Sequence, residues 1–210
     1  MKRMRHVAGK LVCGLAWMLA ASADAANTRF DFKDPKGVNT VTFRMDAPLE
    51  AISGSANGIS GQMEFDPAKP GALKGTIRVE AATMHVPHPT MKEHMHAKDW
   101  MDVANHANLT FEAESLTEVK QNGDVYEGKV QGKLTLKGVT KPVTVPVKLT
   151  YLKGKLGART NGRVQGDLLV VRSQFTVKRS DYGINPGAPT DKVSDEVELT
   201  LSLAGSAPTL

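Results

Sequence analysis

Alternation of apolar and polar residues is the feature that most constrains how this chain folds. The stretch VELTLSL, residues 197–203, places four aliphatic side chains on one face, and VTVPVKLTY, residues 143–151, repeats the pattern. Because successive side chains of a β-strand point to opposite faces, each such segment is predicted to be a strand with one buried side. Seven segments of this kind predict an antiparallel sheet.

Turn-forming sequences separate the strands, for example QNGD at 121–124 and KGVTKP at 137–142. A further long stretch, GDLLVVRSQFTV, alternates less cleanly and is also interpreted as a strand. Eight strands are therefore predicted, near residues 38–46, 52–65, 72–82, 108–118, 124–136, 140–151, 161–177 and 192–204.

Eight alternating strands must bury one apolar face, in a sandwich or in a closed barrel, and a barrel also removes the strand edges. An eight-stranded barrel either encloses one small ligand or is filled by its own side chains. Strands of a dozen residues span roughly 40 Å, which would make the barrel deep and narrow. Inward-facing Gly61 and Gly132, together with an aromatic content of 5%, favour a cavity. We predict an all-β fold, an extended eight-stranded antiparallel barrel.

One segment breaks the alternation, namely TMHVPHPTMKEHMHAKDWMD at 83–102. It contains helix-forming residues after Pro87 and Pro89, so a short helix is predicted to begin near Thr90. The helix would be an insertion between the third and fourth predicted strands.

The first 25 residues differ from the rest in composition. A basic stretch, MKRMRHVAGK, precedes an apolar run over 11–21, and Ala23 and Ala25 follow at the spacing of a cleavage site. The run is shorter than the roughly 20 residues that span a bilayer. This order is typical of a secretory signal peptide, with a short membrane anchor as the alternative. We assign residues 1–25 to the signal peptide and 26–210 to the barrel domain, and expect a periplasmic or secreted protein.

Cleavage would remove the single cysteine, Cys13, and with it any disulfide or catalytic thiolate. It would also remove four of 27 Lys and Arg and one of 22 Asp and Glu, leaving 23 against 21 and a net charge of +2. Without a basic cluster, nucleic acid is not expected as a partner. Neither G-x-S-x-G nor H-E-x-x-H occurs, and no motif supports a serine with His94 and Asp99, so no enzymatic activity is expected.

Two motifs resemble those of a known family. GKLTLKGVTKPV, Gly132 to Val143, strongly resembles the hallmark G-x-L-T-L-x-G-V-T-x-P-V of the YceI-like family. KRSDYGI, residues 178–184, resembles its R-x-D-[FY]-G-[IV] motif. FDPA at 65–68 and DWMD at 99–102 resemble weaker motifs, and the order matches the family over roughly residues 30–204.

This resemblance implies a lipocalin-like barrel with a helical insertion, periplasmic or secreted, that holds a long amphiphile such as a polyprenyl quinone or a fatty amide. No enzymatic activity is established for the family. The expected ligand is therefore a polyisoprenoid, quinone or fatty-acid-like lipid, held for transport, storage or stress protection, with no other cofactor. Transient contact with a membrane or a membrane redox protein is expected, as is a monomer or a homodimer.

The ligand would contact inward-facing strand residues and the helical insertion at the mouth. Arg179 and Asp181 flank the end of a long strand, and either pair to close the barrel floor, which we favour, or present a polar group to a headgroup. Tyr182 could supply an aromatic wall and a hydroxyl for either purpose. The remaining predicted contacts are Phe43, Ile59, Phe65, Ile77, Val79, Met91, His94, Met95, Trp100, Leu109, Phe111, Leu134 and Phe175.

A metal site is the alternative function for the irregular segment. Histidines at His85, His88, His94 and His96 alternate with methionines, and imidazole with thioether suits copper in an oxidising compartment. Their spacing matches no standard metal signature, and two residues on a helix are about 200° apart. The main prediction is therefore no metal, and a lid in which methionines and a tryptophan pack inward. Aligned on DWMD, His94 occupies the position of a family histidine, whereas Met91-Lys92 replaces an Arg-Asp pair.

Overall fold

The computed structural model describes residues 27–209, so the signal peptide predicted for residues 1–25 lies outside the described residues. Within this part of the chain, no helix combines the length and apolar character needed to cross a bilayer. The elements are β1 (Thr28–Asp31), β2 (Thr40–Asp46), β3 (Ala51–Ala56), β4 (Ile59–Phe65), β5 (Lys74–Glu80), α1 (Pro89–His96), β6 (Asn108–Asn122), β7 (Val125–Leu136), β8 (Val139–Leu152), α2 (Leu156–Arg159), β9 (Gly166–Lys178) and β10 (Glu196–Pro208).

These strands form one closed antiparallel barrel with eight strand positions around its wall, each of which we call a stave. The sheet order is β1-β4-β5-β6-β7-β8-β9-β10-β2-β3, and pairing of Asp31 with Ser206 joins β1 to β10. Strands β1 and β2 together make one stave, and β3 and β4 make its neighbour, because β2 pairs with β3 and β1 pairs with β4. The predicted eight-stranded barrel is confirmed.

The first stave is interrupted by a loop over residues 32–39. The buried side-chain amide of Asn39 donates to the Phe32 carbonyl, and its oxygen accepts from the Ala204 amide. These bonds fix the loop against the last strand, β10. The sequence prediction missed β1, because its four residues are too few to show an alternating pattern. Likewise the strand predicted at 52–65 is two strands, separated at residues 57–58.

The hairpin between β7 and β8 has the tight turn that its sequence predicts. Lys137 and Gly138 have φ of 47° and 75°, and Leu136 pairs with Val139 across them. Positive φ at both central residues is the type I′ geometry, which matches the twist of the flanking strands. The strand predicted from residue 161 begins later than expected, at Gly166, because α2 and its loop precede it, and the strand predicted from residue 192 begins at Glu196.

One end of the barrel is filled by aromatic rings. Phe65 lies edge-on to Tyr126 at 5.1 Å between ring centres, and Phe30 lies edge-on to Tyr151 at 6.2 Å. We call these four residues the aromatic plug. Edge-to-face pairs add about 0.5–1.5 kcal/mol beyond the area that they bury, so the plug is a stable floor.

The other end is covered by the cap segment, residues 81–107, which joins β5 to β6 and contains α1. The predicted helical insertion is confirmed, with Pro89 in the first helical turn, where its missing N–H is no loss. Before α1, the chain bonds to the edge of β3: the Ser55 and His85 backbones exchange hydrogen bonds at 2.9 and 2.7 Å. The cap segment therefore covers both the mouth of the barrel and the free edge of β3.

Candidate functional site

A cavity of about 180 Å³ lies inside the barrel, between the cap segment and the aromatic plug. Apolar cavities of roughly 150 Å³ stay dry and bind small hydrocarbons, so this one is large enough to hold apolar matter. Its lining is almost wholly aliphatic, aromatic or thioether, with Thr110, Ser173 and Arg179 as the polar members.

The cavity is long and narrow. On β10, Val197, Leu199, Leu201 and Leu203 all line it. Six residue steps along a strand cover about 20 Å. A volume of this size spread over that length accommodates an extended chain better than a fused ring system.

Most of the predicted contact residues line this cavity, although their contact with a ligand stays a prediction. They come from five strands, from the cap segment and from the turn after β9, so the alternation gave the inward face correctly. The predicted residues in the lining are Phe43, Ile77, Val79, Met95, Trp100, Leu109, Phe111, Leu134, Phe175 and Arg179.

Six predicted contact residues lie outside the lining, and two of them, Asp181 and Tyr182, are described below with Arg179. Phe65 is fully buried but belongs to the aromatic plug, and Ile59 is buried where β4 begins. Met91 packs half-buried against the core from α1, and His94 on the same helix is exposed to solvent. Alternation identifies the face of a strand but not the height of a residue along the barrel, so it could not separate plug from lining.

The expected Arg179–Asp181 pair is wrong. Arg179 is 2% exposed and donates five hydrogen bonds, all to backbone carbonyls, those of Ser194, Ile184, Asn185, Ala188 and Val193. Asp181 is exposed and instead lies 3.5 Å from the ammonium of Lys141 on β8. The guanidinium therefore fixes the loop between β9 and β10. With its donors occupied, it is poorly placed to bind a headgroup directly.

The Tyr182 side chain is buried beside this turn. It is 2% exposed, and among the described residues its hydroxyl has no hydrogen-bond partner. Burial raises the pKa of Tyr182, and the nearby Asp181 carboxylate raises it further. Tyr182 packs in the hydrophobic core and does not line the cavity, and its predicted contact with a ligand stays a prediction.

Methionines form much of the cavity wall below the cap. Met84 and Met101 come from the cap segment, and Met45 and Met63 come from strands; none of these four was among the predicted contacts. Together with Met95 they line the cavity with unbranched, adaptable side chains, which suits a site for variable apolar chains. The methionine-rich composition of residues 83–102 is the feature that could have identified Met84 and Met101.

The four histidines of the cap segment do not converge. His85, His88 and His94 are exposed, whereas His96 is half-buried and its Nε2 lies 2.9 Å from the Met84 carbonyl. Across residues 27–209, no three His, Cys, Asp or Glu side chains are grouped to hold a metal ion. His94 and His96 lie in the last turn of α1, two residues apart and therefore on different faces of the helix. The geometry therefore does not favour the copper alternative.

The expectation that glycines open the cavity is also wrong. A Cβ on Gly132 would lie 2.2 Å from the Glu112 carbonyl, and one on Gly61 would lie 2.0 Å from that of Thr76. Neither glycine lines the cavity. Both allow close approach of neighbouring strands, which is a structural use of glycine.

Comparison with known proteins agrees with this geometry. A sequence profile described as the YceI-like domain matches residues 22–204. A UPF0312 protein from Yersinia pestis (strain Pestoides F) is 32% identical over 196 residues, covering 93% of this chain and 94% of its own length. A UPF0312 protein from Pseudomonas paraeruginosa is 30% identical over 203 residues, covering 96% and 98%.

Solved structures show the same fold at lower sequence identity. BcnA from Burkholderia cenocepacia aligns with a TM-score of 0.64 at 24% identity, covering 79% of this chain and 95% of its own. A polyisoprenoid binding domain from Saccharophagus degradans aligns with a TM-score of 0.63 at 13% identity, covering 87% and 99%.

Proposed function

The chain belongs to the YceI-like domain family, and from that membership we propose that it is an exported, non-enzymatic protein that holds a long-chain amphiphile inside its barrel. We propose that the protein holds this lipid for transport, storage or stress protection. The proposal includes cleavage of a signal peptide over residues 1–25 and a periplasmic location.

The observation that carries the proposal is the apolar cavity along the barrel axis. About ten buried methylenes at about 0.8 kcal/mol each give about 8 kcal/mol before ordering losses, which sets an upper limit of roughly micromolar affinity. Such binding needs few polar contacts. The shape favours a polyisoprenoid or fatty-acid-like chain, and the structural likeness to a polyisoprenoid binding domain supports the isoprenoid.

The chemistry of the lining supports binding rather than catalysis. Arg179 is the one titratable side chain among the described residues that line the cavity, and its donors are bound to backbone carbonyls. Acid–base or nucleophilic catalysis needs a group that can exchange a proton with, or attack, the substrate. Thr110 and Ser173 also line the cavity, but no neighbouring base in the lining could activate either hydroxyl.

The direct test is to purify the protein from its native host and extract it with organic solvent. Mass spectrometry should return a polyprenyl or fatty-acid-like lipid in near-stoichiometric amount. Apoprotein that also fails to bind a polyprenyl alcohol or cis-parinaric acid, a fluorescent fatty acid, would contradict the proposal.

A cavity-filling variant makes the test specific. Leu199 and Leu201 line the cavity, whereas Glu198 on the same strand is exposed. L199F with L201F should exclude about three methylenes and weaken binding by about 2.4 kcal/mol, about fiftyfold. E198F is the matched control and should bind as the wild type does. Equal affinity in the double variant would place the lipid elsewhere.

A further inference from the structure

We propose that the lipid chain reaches the cavity through the side of the barrel, between β8 and β9. The β8–β9 seam is defined as residues 142–147 of β8 and 173–178 of β9. This inference rests on the proposed lipid-binding function and deepens it, because it names the route by which the ligand enters the cavity.

Along the seam, β8 and β9 both continue as strands, but their backbones are not paired with each other. Pairing of β8 with β9 runs from Leu152 with Leu168 to Lys148 with Arg172 and continues no further. Beyond that point β8 still pairs with β7 as far as Val139, and β9 still pairs with β10 as far as Lys178. The gap is therefore not a frayed end.

Two prolines explain why the ladder stops. The Tyr151 amide donates to the Asp124 carbonyl, just before β7, and the Arg179 amide donates to the Asp195 carbonyl, just before β10. The backbone groups of odd-numbered residues in β8 and β9 therefore face away from the seam. Even-numbered backbone groups face it. Pro142 and Pro146 occupy even positions of β8 and have no N–H to donate. In the interior of a sheet, proline occurs where a ladder bond is not made.

Apolar side chains of the cavity lie directly behind the seam. Val145 and Val147 of β8 and Phe175 and Val177 of β9 all line the cavity. Phe175 is only partly buried, whereas the two valines of β8 are buried. From Ser173 to Val177 the seam is about 13 Å long. Parting it would expose the cavity lengthwise to an incoming chain.

Two polar contacts mark the limits of the seam. At its closed end the Ser173 hydroxyl donates to the Pro146 carbonyl at 2.6 Å. At the mouth, Lys141 and Asp181 form an ion pair of 3.5 Å with both side chains about half-exposed. Exposed ion pairs stabilise by about 0.2–1 kcal/mol. Opening the seam therefore breaks no backbone ladder bond, whereas parting any neighbouring pair of strands would.

The free edge of β3 is not an equivalent opening. The cap segment bonds to it through His85, and the Val86 side chain beside this contact is buried. On the seam, outward-facing residues such as Thr144 and Thr176 are exposed, so no described segment of the chain covers it. It is thus the part of the wall with the least hydrogen bonding between adjacent staves.

The test joins the two strands covalently. Thr144 and Thr176 are exposed, and they continue the register of Lys148 with Arg172 by four residues on each strand. In a Cys13→Ala background, which removes the single natural cysteine, T144C with T176C is closed as a disulfide or with a short bifunctional thiol reagent. The matched control is Q131C with T144C, a cross-strand pair of the intact β7–β8 ladder. Mass spectrometry verifies each link.

The readout is the rate of cis-parinaric acid uptake, followed by energy transfer from Trp100 in the cavity wall. Linking the seam should slow uptake about tenfold or more relative to the same protein reduced or unlinked, with the final amount bound unchanged. The control link should leave the rate unchanged. If the wild-type protein binds neither cis-parinaric acid nor a polyprenyl alcohol, the proposed lipid-binding function is wrong. If the wild-type protein binds cis-parinaric acid and the seam-linked protein takes it up equally fast, only the seam proposal is wrong.

Discussion

The guanidinium of Arg179 lies 5.9 Å from the centre of the Trp100 ring, which places a buried cation against the aromatic wall of the cavity mouth. Through its five carbonyl partners, Arg179 also holds the loop that precedes β10. One side chain therefore links the cap segment, the turn after β9 and the loop before β10.

Replacing Arg179 by lysine should destabilise the fold although the charge is kept. An ammonium has three donors and cannot reach five carbonyls, so at least two of these buried or partly buried acceptors lose their partner. We expect the free energy of unfolding to fall by about 2–4 kcal/mol, measured by urea denaturation. R44K, at an exposed arginine, should change it by less than about 0.5 kcal/mol. Equal stability of R179K and wild type would mean that the carbonyl cluster is not important.

Replacing Tyr182 or Tyr151 by phenylalanine should have different effects on the free energy of unfolding. The Tyr182 hydroxyl is buried without a partner among residues 27–209, whereas the Tyr151 hydroxyl donates to Asp167 at 2.5 Å. Y182F should therefore leave stability unchanged or raise it by up to about 1 kcal/mol, and Y151F should lower it by about 1–2 kcal/mol. Thermal or urea unfolding measures both. A large loss in Y182F would show that its hydroxyl has a partner in solution, such as a bound water.

The barrel could be predicted from sequence because alternation over long strands leaves little choice of face. Val197 to Leu203 line the cavity in the predicted parity, and the Lys137-Gly138 turn forms where its hairpin sequence places it. The helix of the cap segment begins at Pro89, one residue from the predicted start. Each of these features depends on residues that are neighbours in the sequence.

Features that depend on distant residues could not be predicted in the same way. Asp181 is two residues from Arg179, yet the partners of Arg179 include carbonyls 14 and 15 residues away in the chain. Phe65 has the correct face, but its height in the barrel follows from where β1 and Tyr126 lie. To predict the seam, one must know the spacing of the two prolines and also how β8 pairs with each of its neighbours. The sequence shows the spacing of the prolines but not the pairing.

Alkaline pH should destabilise the protein through its tyrosines. Burial raises the pKa of Tyr126, Tyr151 and Tyr182, and for Tyr151 the hydrogen bond to Asp167 raises it further. Because the unfolded chain then releases these protons first, stability is fully present below about pH 10 and falls above it. Each group contributes at most about 1.4 kcal/mol per pH unit.

Urea midpoints at about pH 8 and about pH 11 measure this loss. Y151F should lose less between the two values than wild type, because one of the raised groups is gone. Tyrosinate absorbance should rise only as the protein unfolds. An early rise in the folded protein, near the usual tyrosine pKa of about 10, would contradict the burial of these hydroxyls.

Hydrogen exchange should reveal the seam without any ligand. On β9 the amides of Gln174 and Thr176 face β8, where no ladder is formed, whereas those of Phe175 and Val177 face the paired strand β10. The first two should exchange at least about a hundredfold faster than the second two, by NMR of the folded protein. On the laddered part of β9, Val170 and Arg172 are the control and should be protected. Uniform protection along β9 would show that the ladder is complete in solution.

The ion pair between Lys141 and Asp181 should control how readily the seam opens. D181N removes the attraction without changing the size of an exposed side chain, so lipid exchange should become about two- to fivefold faster, as expected for a pair worth about 0.4–1 kcal/mol. High salt should accelerate the wild type towards the rate of the variant and leave D181N nearly unchanged. E118Q, which breaks the exposed Glu118–Lys129 pair, lies away from the seam and should exchange lipid at the wild-type rate. Exchange of cis-parinaric acid between labelled and unlabelled protein gives the rates. If D181N and E118Q behave alike, the Lys141–Asp181 pair does not restrain the seam.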